Sequence, residues 1–337
     1  MMEYLKAGHY ALAQPTIRPL FDTQQFQDIL LKLSNSETSY YDVIKANWEE
    51  TILEGKPWSK VLHDGYISSN SNIEVGEANL INIASNLKTL SANSTNGMAL
   101  VLYSKTGMGD GQQSNNPWLQ ELPDPITRAS WDNYLTISAT TAKELGLSNW
   151  NVSNGALNGS LVNITVNNKT YKNVPVMIQP GQAKDTVSLA VGYGRTLSGK
   201  CGNEVGVNAY PLSNGGGATI TLVEGTHEFA AVQLHHTMMG REIVKEASLS
   251  DYIKDNKSGN ETVLYATHDG NKKASEVSLW DEFDHSTGHF WNMSIDLTLC
   301  TGCSSCVISC HAENNVPVVG KEEVRKSRDM HWLRIDR

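Results

Sequence analysis

Four cysteines crowded into eleven residues constrain this chain more than any other feature of its sequence. Within the stretch DLTLCTGCSSCVISCHAENNVPVVGK (residues 296–321), the spacing C-x2-C-x2-C-x3-C is formed by Cys300, Cys303, Cys306 and Cys310. A disulfide framework would distribute its cysteines along the chain so that they close loops. The clustering instead indicates a site that binds metal through thiolates.

The spacing also indicates whether the thiolates bind zinc or an iron–sulfur cluster. Structural zinc sites draw two ligands from each of two separated knuckles, and four consecutive ligands would strain a tetrahedral site. This run is typical of bacterial ferredoxins, in which the fourth cysteine ligates the second cluster of a pair. We therefore expect Cys300, Cys303 and Cys306 to hold one iron–sulfur cluster. Cys310 is expected to join another cluster, with zinc as the alternative metal.

Three ligands for one cluster and one for another leave both clusters incomplete. The fifth cysteine, Cys201, lies about a hundred residues away in a different expected domain. It is either a fourth ligand or, as is usual for a lone cysteine, a small buried apolar residue. We expect the polypeptide to continue beyond Arg337 with further cysteine motifs of the same kind.

Size and composition define the class of protein. The chain has 337 residues, enough for two or three domains, and its 39% hydrophobic and 19% charged residues are typical of a globular protein with a buried core. A net charge of −9 without a lysine or arginine stripe argues against nucleic-acid binding. No apolar run approaches the roughly 20 residues that span a bilayer. The first residues, MMEYLKAGHYALAQPTIRPLF, predict no signal peptide.

Hydrophobic periodicity predicts helices first and then a series of strands. Apolar spacing indicates helices in TQQFQDILLKLSN, YYDVIKANWEETIL and REIVKEASLSDYIKD. ATTAKELGL reads as a short helix with Ser138 as N-cap and Gly146 as its stop. Short strands are predicted in ALVLY, YLTIS, SLVNITV, KTYKNVPVMI, TVSLAVGYGRT and ATITLVEG, with a hairpin turn at NNK. This pattern favours a small barrel or sandwich.

Two stretches carry a resemblance to known proteins. GHFWNMSIDLTLCTGCSSCVISCHAENNVPVVGKEEV and RDMHWLRIDR resemble the iron–sulfur subunits that partner molybdopterin oxidoreductases. The likeness is closest to the form fused behind a molybdopterin-oxidoreductase-like domain in alternative complex III, a bacterial respiratory quinol oxidoreductase. Upstream, NNPWLQELPDPITRASWDNYLTISATTAKELGL, VPVMIQPGQAKDTVSLAVGYGRT and GVNAYPL are similar to the last domain of molybdopterin oxidoreductases.

The resemblance implies an α+β multidomain fold. Residues 1–95 would be the end of a molybdopterin-oxidoreductase-like α/β domain, and residues 96–225 a double-psi β-barrel of the molybdopterin dinucleotide-binding kind. Residues 226–290 would connect this barrel to residues 291–337, the beginning of a ferredoxin-type domain with [4Fe–4S] clusters. The molybdopterin-like part acts as a scaffold in such fused subunits, so we expect no molybdopterin and no substrate site in this chain alone.

The resemblance also implies a function in electron transfer. Clusters would carry electrons from a quinol site in integral-membrane subunits towards cytochrome c subunits or a terminal oxidase. The subunit would lie on the periplasmic side of the bacterial inner membrane, attached through its partners. The alternative is a subunit of a molybdenum-dependent oxidoreductase acting on nitrate, polysulfide or an S-oxide.

Other residues have two interpretations each. Arg195 and its neighbouring glycines either contact a pterin pyrophosphate or form a tight turn between strands. The charge run KEEVRKSR (321–328) is most simply a solvated helix face or loop, with docking of another subunit as the alternative. His311, beside Cys310, either influences a cluster or faces solvent. Trp332 is expected to be a core or interface residue.

Overall fold

A computed structural model describes most of the chain. The described residues are 2–6, 8–15, 18–68, 83, 85, 87, 88, 97–213, 217–232, 237–241, 243–260, 262–281 and 283–336. Two compact units can be distinguished, Met1–Asn86 and Leu87–Arg337. The division into four domains made above stays a prediction. No helix among the described residues has both the length and the apolar character needed to cross a membrane.

In its described stretch up to residue 68, the first unit combines a small antiparallel sheet with three helices. Its elements are β1 (Met2–Lys6), β2 (His9–Leu12), α1 (Phe26–Leu33), α2 (Tyr40–Thr51), α3 (Trp58–Asp64) and β3 (Tyr66–Ser68). Strand β2 lies between β1 and β3. The helices α1 and α2 lie where apolar periodicity predicts them. Trp48 of α2 is 1% exposed and packs with Leu53, Val61 of α3 and Ile67 of β3, so this core joins the helices to the sheet.

The second unit contains the larger sheet. Its first strands are β4 (Met98–Tyr103), β5 (Ala129–Ser130), β6 (Leu135–Ile137), β7 (Asn149–Asn151), β8 (Leu157–Val166), β9 (Lys169–Ile178), β10 (Thr186–Ala190), β11 (Gly217–Glu228) and β12 (Ala230–Ala231). Hydrogen bonding follows the order β11–β4–β10–β6–β9–β8–β7, and β11 also pairs with β8. Six strands therefore close into a barrel. Its assignment as a double-psi barrel, and the fold class stated above, stay predictions.

The barrel interior follows from the alternation of side chains along its strands. On β8, Val162, Ile164 and Val166 are at most 3% exposed, while the residues between them are half-buried. They pack with the inward side chains of the other barrel strands. Each fully buried aliphatic side chain stabilises the fold by roughly 1.5–3 kcal/mol relative to solvent exposure. The interior of the barrel is thus filled by packed apolar side chains.

Local sequence signals set the boundaries of the connecting elements. The Oγ atom of Ser138 accepts the N–H of Thr141 at 3.1 Å and begins helix α5 (Ala139–Glu144), as the sequence predicts. The β8–β9 turn has both Asn167 and Asn168 at positive φ, 50° and 63°, which is the conformation of a tight hairpin turn. Helix α4 (Pro117–Glu121) precedes these elements and begins after Asn116, whose side chain accepts two backbone N–H groups.

The chain beyond the barrel is less regular. Its elements are α6 (Leu249–Lys254), β13 (Leu264–Thr267), β14 (Gly270–Lys273), α7 (Ala274–Val277), α8 (Ser305–Glu313) and α9 (Lys321–Arg325). The helix predicted over REIVKEASLSDYIKD was too long, because only its second half is helical. Ser248 caps the N–H of Asp251 and starts α6 there, since a serine side chain competes with the backbone inside a helix.

Candidate metal centre

The cysteine motif begins in a turn organised by an aspartate. Asp296 accepts the backbone N–H of Thr298 at 2.9 Å and its hydroxyl at 2.6 Å, and these bonds lower the pKa of the Asp296 carboxyl. The N–H of Cys300 donates to the Asp296 carbonyl oxygen at 2.9 Å. Gly302 and Ser304 both have positive φ, 70° and 58°. The backbone therefore reverses sharply between the first cysteines.

Helix α8 carries the other two cysteines. Cys306 lies in its first turn and Cys310 four residues later, so both side chains project from one side of the helix. The side chain of Asn314 donates to the carbonyl oxygen of Cys310 at 2.9 Å and contacts its Sγ atom at 3.5 Å. Loop and helix together bring the four thiols into one short segment.

The thiols are free and accessible. Cys303 and Cys306 are exposed, and Cys300 and Cys310 are partly buried. The hydroxyl of Ser305 lies 3.3 Å from the Sγ atom of Cys303, and this hydrogen bond lowers the pKa of the Cys303 thiol from its ordinary value. A thiolate is the form that binds metal. The electronic environment of Cys303 thus favours ligation.

The donor set fits an iron–sulfur cluster by its chemistry. Four unpaired thiols on one loop and one helix turn are the soft ligands that such clusters require. Within the described part of the chain, no three His, Cys, Asp or Glu side chains converge closely enough to hold a metal ion. The predicted ligands therefore share a segment without forming a closed site of their own.

The segment after α8 is anchored to α4 of the barrel unit. The indole Nε1 of Trp118 donates to the carbonyl oxygen of Val316 at 2.9 Å. The carboxylate of Glu121 accepts the backbone N–H groups of Val319 at 3.1 Å and Gly320 at 2.7 Å. These bonds join residues about two hundred positions apart, and they hold the chain that follows α8 against α4.

Helix α9 corrects the interpretation of KEEVRKSR as a solvated run. Val324 is 1% exposed and Arg325 is 8% exposed, because α9 packs on β12. Lys321 donates to Asp132 at 2.6 Å, and the Nε2 atom of His227 lies 3.0 Å from the same carboxylate oxygen. One side of this charge run is therefore an internal contact with the barrel, made by the cysteine segment, the name used below for residues 296–325.

Two histidines, one buried and one half-buried, stack on each other beside the last cysteine. His311 is 2% exposed, and its ring stacks on that of His331 with centroids 5.1 Å apart. Burial lowers the pKa of both imidazoles. The Nε2 atoms of His311 and His331 are buried without a hydrogen-bond partner. His311 is thus a buried residue, while Trp332 is 63% exposed.

The remaining candidates lie in the loops between β10 and β11. The backbone N–H of Cys201 donates to Asn115 at 3.0 Å, and its thiol is free. Arg195 donates to the carbonyl oxygen of Asp110 at 3.2 Å and lines an open cavity of about 330 Å³ together with Tyr210. The hydrogen bond to Asn115 ties Cys201 to the loop before α4 in the barrel unit. The pyrophosphate role of Arg195 stays a prediction.

Sequence reasoning missed the residues that hold the cysteine segment in place. Glu121, Asp132 and Arg325 are buried charged side chains whose partners lie far away in sequence. One signal is the position of Glu121 in the stretch PWLQELP, whose other residues apart from Gln120 are apolar. Asp132 and Arg325 have no comparable local pattern, since each lies in a stretch of mixed polar and apolar residues.

Comparison with known proteins gives a partial match. No family model matches the chain. Over 43 residues, it is 42% identical to the menaquinone reductase, iron-sulfur cluster-binding subunit of Nitratidesulfovibrio vulgaris strain Hildenborough. The match covers 13% of this chain and 16% of the relative, so the chain spans about a sixth of that relative's length. A short stretch of this chain is therefore similar to an iron–sulfur cluster-binding protein.

Proposed function

We propose that this chain is part of an iron–sulfur electron-transfer subunit of a quinone oxidoreductase complex. The observation that carries the proposal is the set of four free thiols spaced C-x2-C-x2-C-x3-C on one loop and one helix. The similarity to the cluster-binding subunit of a menaquinone reductase also supports it.

The proposed ligands are distributed over two clusters. Cys300, Cys303 and Cys306 would hold one [4Fe–4S] cluster, and Cys310 would join a second. Clusters bound there supply outer-sphere transfer of single electrons. The residues of this chain fix the positions of the ligands and set the local charge. No catalytic substrate site is required in this chain for that role.

The finer assignment is to alternative complex III. It is supported by the resemblance of the quoted stretches and by their order, with the barrel stretch before the cysteine stretch. The barrel would have the double-psi fold and serve as a scaffold without molybdopterin. The subunit would receive electrons from quinol-site subunits in the membrane and pass them to cytochrome c subunits or an oxidase. It would lie on the periplasmic side of the inner membrane.

Metal analysis of the complete polypeptide, purified anaerobically with its partner subunits, tests the proposal. We expect iron and acid-labile sulfide, broad visible absorption, and electron paramagnetic resonance signals that appear on reduction by a quinol. Cys303→Ser should alter the signal of one cluster and Cys310→Ser that of another. Cys201→Ser is the matched control, because it removes a free thiol outside the motif and should leave both signals unchanged.

Two results would contradict the proposal. Zinc in place of iron would indicate a structural thiolate site. Stoichiometric molybdenum would favour the molybdenum-dependent oxidoreductase instead, since the scaffold role excludes that metal.

A further inference from the structure

Glu121 is a buried carboxylate at the contact between the barrel unit and the cysteine segment. It is 2% exposed. One oxygen accepts the N–H of Val319, and the other accepts the N–H of Gly320 and, at 3.1 Å, the indole N–H of Trp131. The two side-chain oxygens of Glu121 are thus the acceptors in all three of these hydrogen bonds. Because all three donors are neutral, they disperse the negative charge without cancelling it.

The position of Glu121 couples it to the cysteine helix. Trp118 and Glu121 lie one turn apart on α4 and hold the chain at two points, Val316 and the Val319–Gly320 pair. Between these points and Cys310 lie only the end of α8 and the residues that follow it. A substitution at Glu121 therefore affects the backbone that follows α8, the helix that carries two proposed ligands.

Helix α4, which ends at Glu121, also packs directly against α8, the helix that carries Cys306 and Cys310. The charge of the buried Glu121 carboxylate therefore acts on Cys310 across a contact between neighbouring helices. In a buried setting such an interaction is weakly screened.

We propose that Glu121 is a positioning residue that orients the cysteine segment and, through its charge, lowers the reduction potential of the cluster that Cys310 joins. The inference rests on the function proposed above. Reduction adds one electron to a cluster, so a nearby buried negative charge disfavours the reduced form. Removing the charge should raise the reduced-to-oxidised ratio at fixed potential roughly tenfold, which is a positive shift of about 59 mV for a one-electron couple.

The test is a redox titration of the complete protein in its complex, followed by electron paramagnetic resonance. Glu121→Gln should keep its iron and move the potential of the cluster affected by Cys310→Ser to more positive values. Glu121→Asp keeps the charge and should remain close to the wild type. Glu322→Gln removes an exposed carboxylate on α9 and is the matched control without a shift.

A second variant keeps the test decisive if Glu121→Gln does not retain iron. Trp131→Phe keeps an aromatic ring but removes one N–H donor. The positive end of this N–H dipole partly offsets the negative charge of Glu121, so its loss should move the reduction potential of the cluster to more negative values. An unchanged potential in iron-loaded Glu121→Gln, or no negative shift in Trp131→Phe, overturns the inference. A wild-type protein without clusters would instead refute the proposed function, so the two failures are distinguishable.

Discussion

Arg325 donates through its Nη1 atom to the carbonyl oxygen of Leu157 at 2.9 Å, although the two residues are 168 positions apart. The same atom donates to the Phe229 carbonyl oxygen at 3.2 Å, and Nη2 donates to the side chain of Asn158 at 2.5 Å. Arg325→Ala is predicted to lower the free energy of unfolding by about 2–4 kcal/mol, because these oxygens lose a charged donor in a largely buried contact. Urea denaturation measures the difference.

Two further variants separate geometry from charge in this contact. Arg325→Lys retains the charge but has no planar fork of donors. We therefore expect its free energy of unfolding to lie between those of the wild type and Arg325→Ala. Arg328→Ala is the matched control, since Arg328 is 69% exposed and pairs with Glu323 at the surface. Equal effects of Arg325→Ala and Arg328→Ala would contradict the prediction.

The hairpin between β8 and β9 allows a prediction about backbone conformation. Asn168 has φ 63°, a left-handed conformation that β-branched residues avoid. Asn168→Val should therefore destabilise the protein by about 1–2 kcal/mol, whereas Asn168→Gly should be tolerated or slightly stabilising. Lys169→Val, at the exposed first position of β9, is the control for the added apolar side chain. Thermal unfolding of the three variants measures these differences. Equal destabilisation by Asn168→Val and Lys169→Val would refute the prediction.

Asn314 permits a prediction about the second cluster. Its side-chain amide lies 3.5 Å from the Sγ atom of Cys310, and N–H bonds to ligand sulfur raise cluster potentials. Asn314→Ala should lower the potential of that cluster by less than the roughly 59 mV of a tenfold change. Asn314→Asp should lower it further, because a negative charge replaces the donor. A redox titration in which Asn314→Asp lies at or above the wild-type potential would disprove this.

Features encoded within a few residues could be predicted from the sequence. Ser138 caps α5 through an atom three residues away, and the Asn167–Asn168 turn follows from the local preference of asparagine for positive φ. The cysteine spacing is local in the same sense. The helix over REIVKEASLSDYIKD was predicted too long for a related reason, because apolar periodicity outweighed the capping signal of Ser248.

The contacts that place the cysteine segment could not be predicted in this way. Glu121 and Arg325 have partners about 200 and 170 positions away, and neither partner changes the local sequence pattern. A charged residue in a run such as KEEVRKSR is usually solvated. Arg325 is buried only because the barrel presents oxygen atoms where α9 packs, and that geometry exists only after folding.

Lys105 provides a prediction about pH. Its ammonium lies 3.9 Å from the ring centroid of Tyr134 and donates to the Asp132 carbonyl oxygen at 2.7 Å. Burial lowers the pKa of Lys105 from 10.5 to about 8, although Asp124 and Asp132 oppose this. Between these two pH values the unfolded chain binds a proton that the folded protein has released, so the contribution of Lys105 to stability rises with pH.

Lys105→Met should abolish this rise. Relative to the variant, the wild type is expected to gain about 3 kcal/mol of unfolding free energy as the pH increases from about 8 to 10.5, since one pKa unit corresponds to 1.36 kcal/mol. Chemical denaturation at pH 7, 8.5 and 10 measures the gain. Lys184→Met is the matched control, because Lys184 is exposed and its ion pair with Glu144 raises its pKa above 10.5. Parallel pH profiles of the wild type and Lys105→Met would show that Lys105 remains charged inside the folded protein throughout this range.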